Sequence, residues 1–405
     1  MHSLALGEIS TPITKGATPT TYGFEWQASG VPFLRSECVS EKGLDMRQSM
    51  FISSEAHASL QRSQVVEGDI LLTITGNIGR VVQLEGIEEA NINQHIARVR
   101  VIDDRLHPRY VFHYLSQRAV RQYYESITTG QAYPQISLAQ VRSTAIPLIS
   151  KIEQKEIVAA LDDADMLISS LEHLISKKQA IKQGMMQELL TGRTRLPGFV
   201  KDWNRSIAGD LGVFKGGIGF PVWAQGSKNG TYPFFKVSDM NLPGNERIMK
   251  TSNNWISESF RGRLGATALP AGAIVFAKVG AAVYLERKRI LGVPSCIDNN
   301  MAAFMPDLSQ IDNWFVYYYL LSFPLSSLVA MGALPSLNSS QLRSIPFYFP
   351  ADLEEQKAIA QILQDADQEI AALERRLETA RNIKQGMMQE LLSGRTRLSV
   401  PEVSL

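Results

Sequence analysis

The sequence has 405 residues, more than one hydrophobic core usually serves, so it predicts two or more domains. Apolar residues make up 44% and charged residues 20%, the balance of an ordinary globular protein. Forty-one basic side chains against 40 acidic leave a net charge of +1, without the basic excess that usually marks a nucleic-acid binder.

No apolar run nears the ~18 residues that a membrane-spanning helix needs; Trp314 to Phe323 reads as a buried aromatic segment instead. Residues 1–10 lack the basic start and apolar stretch of a signal peptide. Cys38 and Cys296 are too few for a disulfide framework, so a reducing cytoplasm is expected.

In chain order, residues 1–150 break into short β-rich runs punctuated by Gly, Pro and Asn, which predicts a mixed α+β domain. Its landmarks are a strand at Leu6–Ile9, a Lys15-Gly16 turn, a Gly-led strand from Gly68 to Leu72, and an Asn-rich turn at Asn91 to His95. Residues 151–196 read as one long helix, with apolar side chains at Ile157, Leu161, Ala164, Ile168, Leu171 and Ile175. These alternating steps of four and three form a coiled-coil seam. Gly192 and Pro197 mark its end. Residues 197–350 repeat the first domain's landmarks loosely: Lys215-Gly216-Gly217, a strand from Gly272 to Phe276, and a turn at Ile297 to Asn300. Residues 351–405 hold a second helix, with the same seam at Ile359, Leu363, Ala366, Ile370, Leu373 and Leu377.

The two helices are copies. Residues 181–196 and 383–398 differ only at Thr191 against Ser393, and the offset of 202 extends back to Glu153-Gln154-Lys155 and Glu355-Gln356-Lys357. From Glu153 to Thr191 such a helix spans roughly 58 Å. Each helix buries its seam most simply against the other, and the long domain between them predicts an antiparallel pair. The expected architecture is therefore α+β: two related mixed domains joined by two long antiparallel coiled-coil helices, with pseudo-twofold symmetry. The helices are nearly identical while the domains have drifted, which fits a scaffold used twice that carries readers of unlike targets.

Duplicated helices ending in a QELLTGRTRL-like tail, alternating with two variable domains that carry GDIL-type strands, resemble the specificity subunits of Type I restriction-modification systems. The resemblance covers essentially the whole chain. It implies that 1–150 and 197–350 are target-recognition domains, each reading half of a split, asymmetric double-stranded DNA site, and that 151–196 and 351–405 are spacer helices. It further implies two copies of a modification subunit, an adenine N6 methyltransferase, and a restriction/translocase subunit as partners. S-adenosylmethionine, ATP and Mg would be bound by those partners and not by this chain. Two other readings of the sequence stand beside it: the recognition chain of a bifunctional Type II enzyme, and a coiled-coil adaptor that binds no DNA.

Catalytic motifs are missing from the sequence: no Asn/Asp-Pro-Pro-aromatic box, no G-x-x-x-x-G-K-[ST] loop and no G-x-G-x-x-G occur. The Glu-x-Lys triplets at 153–155 and 355–357 fall at helix starts, where Glu complements the dipole. His107 and His113 have no cysteine partners, so no zinc site is expected. Base edges are matched by Arg or Lys for guanine and Asn or Gln for adenine. The expected DNA-binding residues are therefore Lys15, Asn77, Arg80, Asn93, Gln94, His95 and Gln131 in the first domain, and Lys215, Lys278, Asn299 and Asn300 in the second. Gly184, Met185 and Met186, with their copies Gly386, Met387 and Met388, are the expected partner-binding set, with plain core packing as the rival reading for the methionines. A glycine inside a helix costs about 1 kcal/mol relative to Ala, which close approach of another helix would offset.

Overall fold

The computed structural model describes residues 2–130, 134–329 and 335–397. It divides into two compact units, residues 1–172 with 375–405, and residues 173–374.

In the first unit, the strand Ile70–Thr73 is buried along its whole length because it has a core on each face. Ile70 and Leu72 enter one apolar cluster while Leu71 enters another, the two-residue alternation of a strand. This strand lies between Ile96–Val99 and Val81–Gln83 in an antiparallel sheet that Thr14–Lys15 extends. A second sheet orders Met50–Ile52, Val31–Leu34, Glu89–Ile92 and Gln64–Val66, with Val31–Leu34 and Glu89–Ile92 parallel. The strand Ser3–Ala5 pairs with Ala145–Pro147 and ties the start of the domain to its end. The helix Pro108–Leu115 buries Tyr110, Val111 and Leu115 in the larger cluster.

The second unit repeats this frame. Ile274 and Phe276 face one cluster and Val275 the other. Their strand, Ile274–Ala277, sits between Met301–Pro306 and Lys288–Leu291, and Gly212–Gly216 extends the sheet as Thr14–Lys15 does in the first unit. Tyr232–Phe235 runs parallel to Cys296–Ile297, and Trp203–Ile207 pairs with Pro346–Pro350. Cys38 and Cys296 are buried free thiols.

The long helices run Lys151–Leu189 and Leu353–Leu391. Within the first unit, Asp165 pairs with Lys384 at 2.5 Å and Glu172 pairs with Arg381, so residue numbers rise along one helix as they fall along the other. Within the second unit, Lys178 meets Glu369 at 2.6 Å and Lys182 meets Asp367 at 2.5 Å, in the same antiparallel sense. Asp165–Lys384 and Asp367–Lys182 are one ion pair written twice at the repeat offset. Seam residues Ile157, Leu161, Leu171, Ile175, Ile359, Leu363, Ile370, Leu373 and Leu377 are buried. The first residues of each seam do more than face the other helix. Ile157 and Leu161 join the core of the first unit, and Ile359 and Leu363 that of the second. Gly192 and Gly394 follow the helices in the left-handed conformation that favours glycine (φ 70° and 71°).

The interior glycines depart from expectation. A side chain at Gly184 or Gly386 would meet open space, so no neighbouring helix among the described residues packs closely against either. The cost of glycine there is not offset by packing. The adjacent methionines face inward: Met186 belongs to the core of the second unit, with Met185 packed against it, and Met387 and Met388 lie against the core of the first.

Candidate nucleic-acid interface

Each domain bends its chain at the same point of the frame. In the first, the backbone N–H of Asn93 donates to Leu34 O at 3.0 Å, and its side-chain Oδ1 accepts from the N–H of His95 at 3.1 Å. In the second, Asp298 N–H donates to Phe235 O at 2.9 Å, and Oδ1 accepts from Asn300 N–H at 3.1 Å. Both are turns in which a short polar side chain caps the backbone two residues on. Asn93 and Asp298 are themselves buried, and burial pushes the Asp298 carboxyl above the usual carboxylate range. Asn93 is thus a turn former, and the positions presented past the bend are Gln94 and His95 in one domain and Asn299 and Asn300 in the other.

A glycine braces each turn from behind. A Cβ at Gly16 would overlap the carbonyl of Ile92, and one at Gly217 would overlap the carbonyl of Asp298. Gly16 N–H donates to Asn93 O at 3.1 Å, while Gly217 N–H donates to Met301 O at 3.1 Å. Gly16 and Gly217 are therefore counterparts, which corrects the sequence alignment of Lys15-Gly16 with Lys215-Gly216. Lys15 pairs with Ala97, and the corresponding pair in the second domain is Gly216 with Ala302. Lys215 is one residue out of step, and successive strand residues face opposite ways. The amino group on the Lys15 face of the second domain comes from Lys278, whose Nζ lies 3.0 Å from where a Cβ on Gly216 would be. Lys278 N–H also donates to Asn300 O at 2.8 Å, so it is fixed to the turn.

The remaining predicted residues divide. Gln94 is half-buried, accepts from Thr18 Oγ1 at 2.7 Å and lies 3.2 Å from His95 Nε2. Asn77 is exposed on the turn after Ile70–Thr73, held by Thr73 Oγ1 donating to its carbonyl at 2.5 Å. Arg80 is half-buried, and its Nε has no hydrogen-bond partner among the described residues. Lys215, Asn299 and Asn300 are exposed. Gln131 lies outside the described residues.

The family model for the Type I restriction modification DNA specificity domain matches residues 2–183 and again residues 201–381. The chain belongs to this family. A putative Type I restriction enzyme specificity subunit, MjaX of Methanocaldococcus jannaschii, is 25% identical over 391 residues, covering 91% of this chain and 88% of its own. The MjaVIII specificity subunit of the same organism is 27% identical over 350 residues, 82% of this chain and 80% of its own. The crystal structure of a Type I S subunit from M. genitalium shares the fold with a TM-score of 0.60 at 14% identity, over 96% of this chain and 95% of the other. A chain from a structure of Type I complex assembly and conformational transition gives 0.61 at 18%, over 96% and 97%. The protein is a DNA specificity subunit, the non-catalytic member of a Type I system whose catalysis lies in partner subunits.

The motifs that looked faintly catalytic in this specificity subunit prove to be structural. Glu355 is buried and receives two bonds from Arg195, Nε at 2.7 Å and Nη2 at 2.8 Å, and Glu153 faces Arg397 at 3.8 Å. The glutamines beside them are what the sequence reading passed over. Buried Gln154 accepts from His107 N–H at 2.7 Å and donates to Arg105 O and Ile149 O. Buried Gln356 accepts from Asp312 N–H at 2.6 Å and donates to Pro350 O and Gln310 O. Their identity in both copies was the available signal.

His113 lies with Asp162 and Asp165 in a grouping of metal-ligand types. Protein cations already serve both carboxylates: Arg109 Nε reaches Asp162 at 2.7 Å and Lys384 reaches Asp165 at 2.5 Å. Burial pushes the His113 imidazole down to about 4, against the pull of Asp162 at 2.8 Å. The grouping fastens helix Pro108–Leu115 to the long helices within the first unit. In the second unit, Asp367 receives Tyr318 OH at 2.7 Å for the same purpose.

Proposed function

We propose that this subunit reads an asymmetric, bipartite double-stranded DNA site, residues 1–150 reading one half and 197–350 the other. The observation that carries the reading is the pair of equivalent turns with unlike tips, Gln94-His95 against Asn299-Asn300, on otherwise matching frames. Amide and imidazole side chains there match base-edge donors and acceptors, and Lys15, Asn77, Arg80, Lys278 and, from the opposite strand face, Lys215 supply further contacts to base or phosphate. Residues 151–196 and 351–405 act as spacer helices. Two copies of an adenine N6 modification subunit, binding S-adenosylmethionine, dock on the helices, and a restriction/translocase subunit using ATP and Mg completes a cytoplasmic complex. The helix face at Gly184 and Gly386, exposed in both copies, is the proposed docking position.

The test is genome-wide N6-methyladenine sequencing of a methylation-free host that expresses the subunit with its native modification partner. A split motif of two unlike halves is expected only when the subunit is present. Exchanging residues 1–150 for another domain is expected to change one half alone. Assembly of the partner without any methylation would overturn the reading.

A further inference from the structure

Gly16 and Gly217 set an offset of 201 between the domains, which returns at the next strand, although Gly30 and Gly230, each braced against the carbonyl of the paired isoleucine (Ile52 and Ile256), are offset by 200. Pro32-Phe33-Leu34 falls on Pro233-Phe234-Phe235, and the N–H groups of Asn93 and Asp298 bond to Leu34 and Phe235 within it. Between these points each domain has one connection of equal length, and Tyr22 and Trp223 lie within it, each six residues after the bracing glycine and nine before the next strand. Both sit in short 3-10 turns, Pro19–Tyr22 and Val222–Ala224. Both are exposed, Tyr22 to 61% and Trp223 to 79%, with Val222 beside it at 84%.

Each domain thus exposes an aromatic in the same connection between bracing glycine and strand, although the turns that carry them are offset. The Trp223 ring and the Val222 beside it, both left in water, forgo the burial that large apolar side chains usually supply. The first turn is fixed to its reading tip, and the second domain's connection is tied beside its tip at Ile218. Thr18, whose carbonyl accepts from Thr21 N–H at 3.1 Å, donates through Oγ1 to Gln94. Ile218 N–H donates to Ile297 O at 3.1 Å, just ahead of Asp298. Trp223 is held edge-on to Phe260 at 5.5 Å, and the Arg263 guanidinium lies 5.4 Å from the Phe260 ring centroid, placing a cation beside the aromatics.

We propose that Tyr22 and Trp223 are DNA-contacting aromatics that stack on a base or wedge at a base step beside each half-site. This rests on the DNA reading above. A modification subunit docking identically on both halves would ask for the same side chain twice, whereas unlike base steps accept Tyr in one half and Trp in the other. Apolar wedges at base steps and aromatic stacking on bases are both established modes of DNA contact, and neither neutralises a phosphate.

The experiment titrates the assembled complex of this subunit and its modification partner with a duplex carrying the methylated motif, over a range of salt. Trp223→Ala and Tyr22→Ala are each expected to weaken binding roughly 5- to 150-fold, the range for losing one stacked base. Trp223→Phe should retain most of the affinity, and the slope of log K against log salt should not change in any of them, because no phosphate contact is lost. Asn300→Ala and Lys278→Ala serve as controls for the DNA reading itself. Wild-type affinity in both aromatic variants, with the controls weakened, overturns the stacking proposal and leaves the reading intact. Undiminished binding in all four variants overturns both. Loss of partner assembly with DNA affinity retained assigns the aromatics to protein docking and also overturns the proposal.

Discussion

At Asn93 and Asp298 the two domains bend with the same hydrogen bonds yet carry different residues past the bend. At Gln154 and Gln356 both the bonding and the residue are retained, down to one backbone N–H accepted and two carbonyls served. The difference follows from what each position touches. The buried side chains of Gln154 and Gln356 each serve one backbone N–H and two carbonyls at once, which ties the chain before the helix to the domain's own helix start. The helix rungs join a residue of one copy to a residue of the other, so a change in one copy alone breaks a pair. The tips carry no such shared partner: Gln94 bonds Thr18 and lies against His95, whereas Asn299 and Asn300 are exposed, so the two turns differ in both residue and bonding.

The comparison can be broken most forcefully behind the turns. Gly16→Ala and Gly217→Ala each drive a Cβ into a backbone carbonyl, and each is expected to destabilise its own unit by about 3 kcal/mol or more, measured by thermal or denaturant unfolding. A melt unchanged by either would show that the turns are not braced there. Next in size are Gln154→Ala and Gln356→Ala, which each remove a buried side chain that bonds three backbone groups and should cost on the order of 2 kcal/mol. The two losses should be similar, and a large gap between them would contradict the equivalence of the two scaffold copies.

His113 sharpens the comparison through pH: it bonds Asp162, whereas in the second unit Tyr318 bonds Asp367, the counterpart of Asp165, and Gln364 stands where Asp162 does. The folded His113 value of about 4 lies below the ~6.5 of an unfolded histidine, so between these limits the unfolded chain binds the extra proton. Its contribution is therefore intact above pH 6.5 and lost as pH falls toward 4, at most about 3 kcal/mol in total. His113→Gln should remove this part of the pH dependence from unfolding curves. An unaltered slope would refute the assignment. Smallest, and opposite in sign, Gly184→Ala and Gly386→Ala should stabilise the isolated subunit by about 1 kcal/mol each, because nothing fills the space a methyl group would take. Weaker assembly with the modification subunit in the same variants would support docking on that face, and unchanged assembly would remove it.

The scaffold was legible in the sequence because heptad periodicity and exact repetition survive without any knowledge of tertiary contacts. Ile157, Leu161, Ile359 and Leu363 were correctly turned inward, although their second partner, the domain core, was not visible. The pairing of the domains was read one residue out of step at Lys215. Lys-Gly against Lys-Gly is a good match by eye, whereas the register is set by backbone contact between Gly217 and Asp298 that no local pattern encodes. Asn93 looked like a base reader because Asn is both a reader and a turn former, and only its buried hydrogen bonds separate the two roles. That Tyr22 and Trp223 share one connection is likewise apparent only once Gly16 is set on Gly217.

The central claim, that a constant frame presents variable readers, is tested most directly by exchanging one tip. The methylation motif of a subunit carrying Gln94→Asn and His95→Asn together, which gives the first turn the tip of the second, should be sequenced beside that of the wild type. The account predicts that one half-site changes or relaxes while the other half and the spacing between them stay as they were. A motif identical in both halves, or a change confined to the half read by residues 197–350, would contradict it.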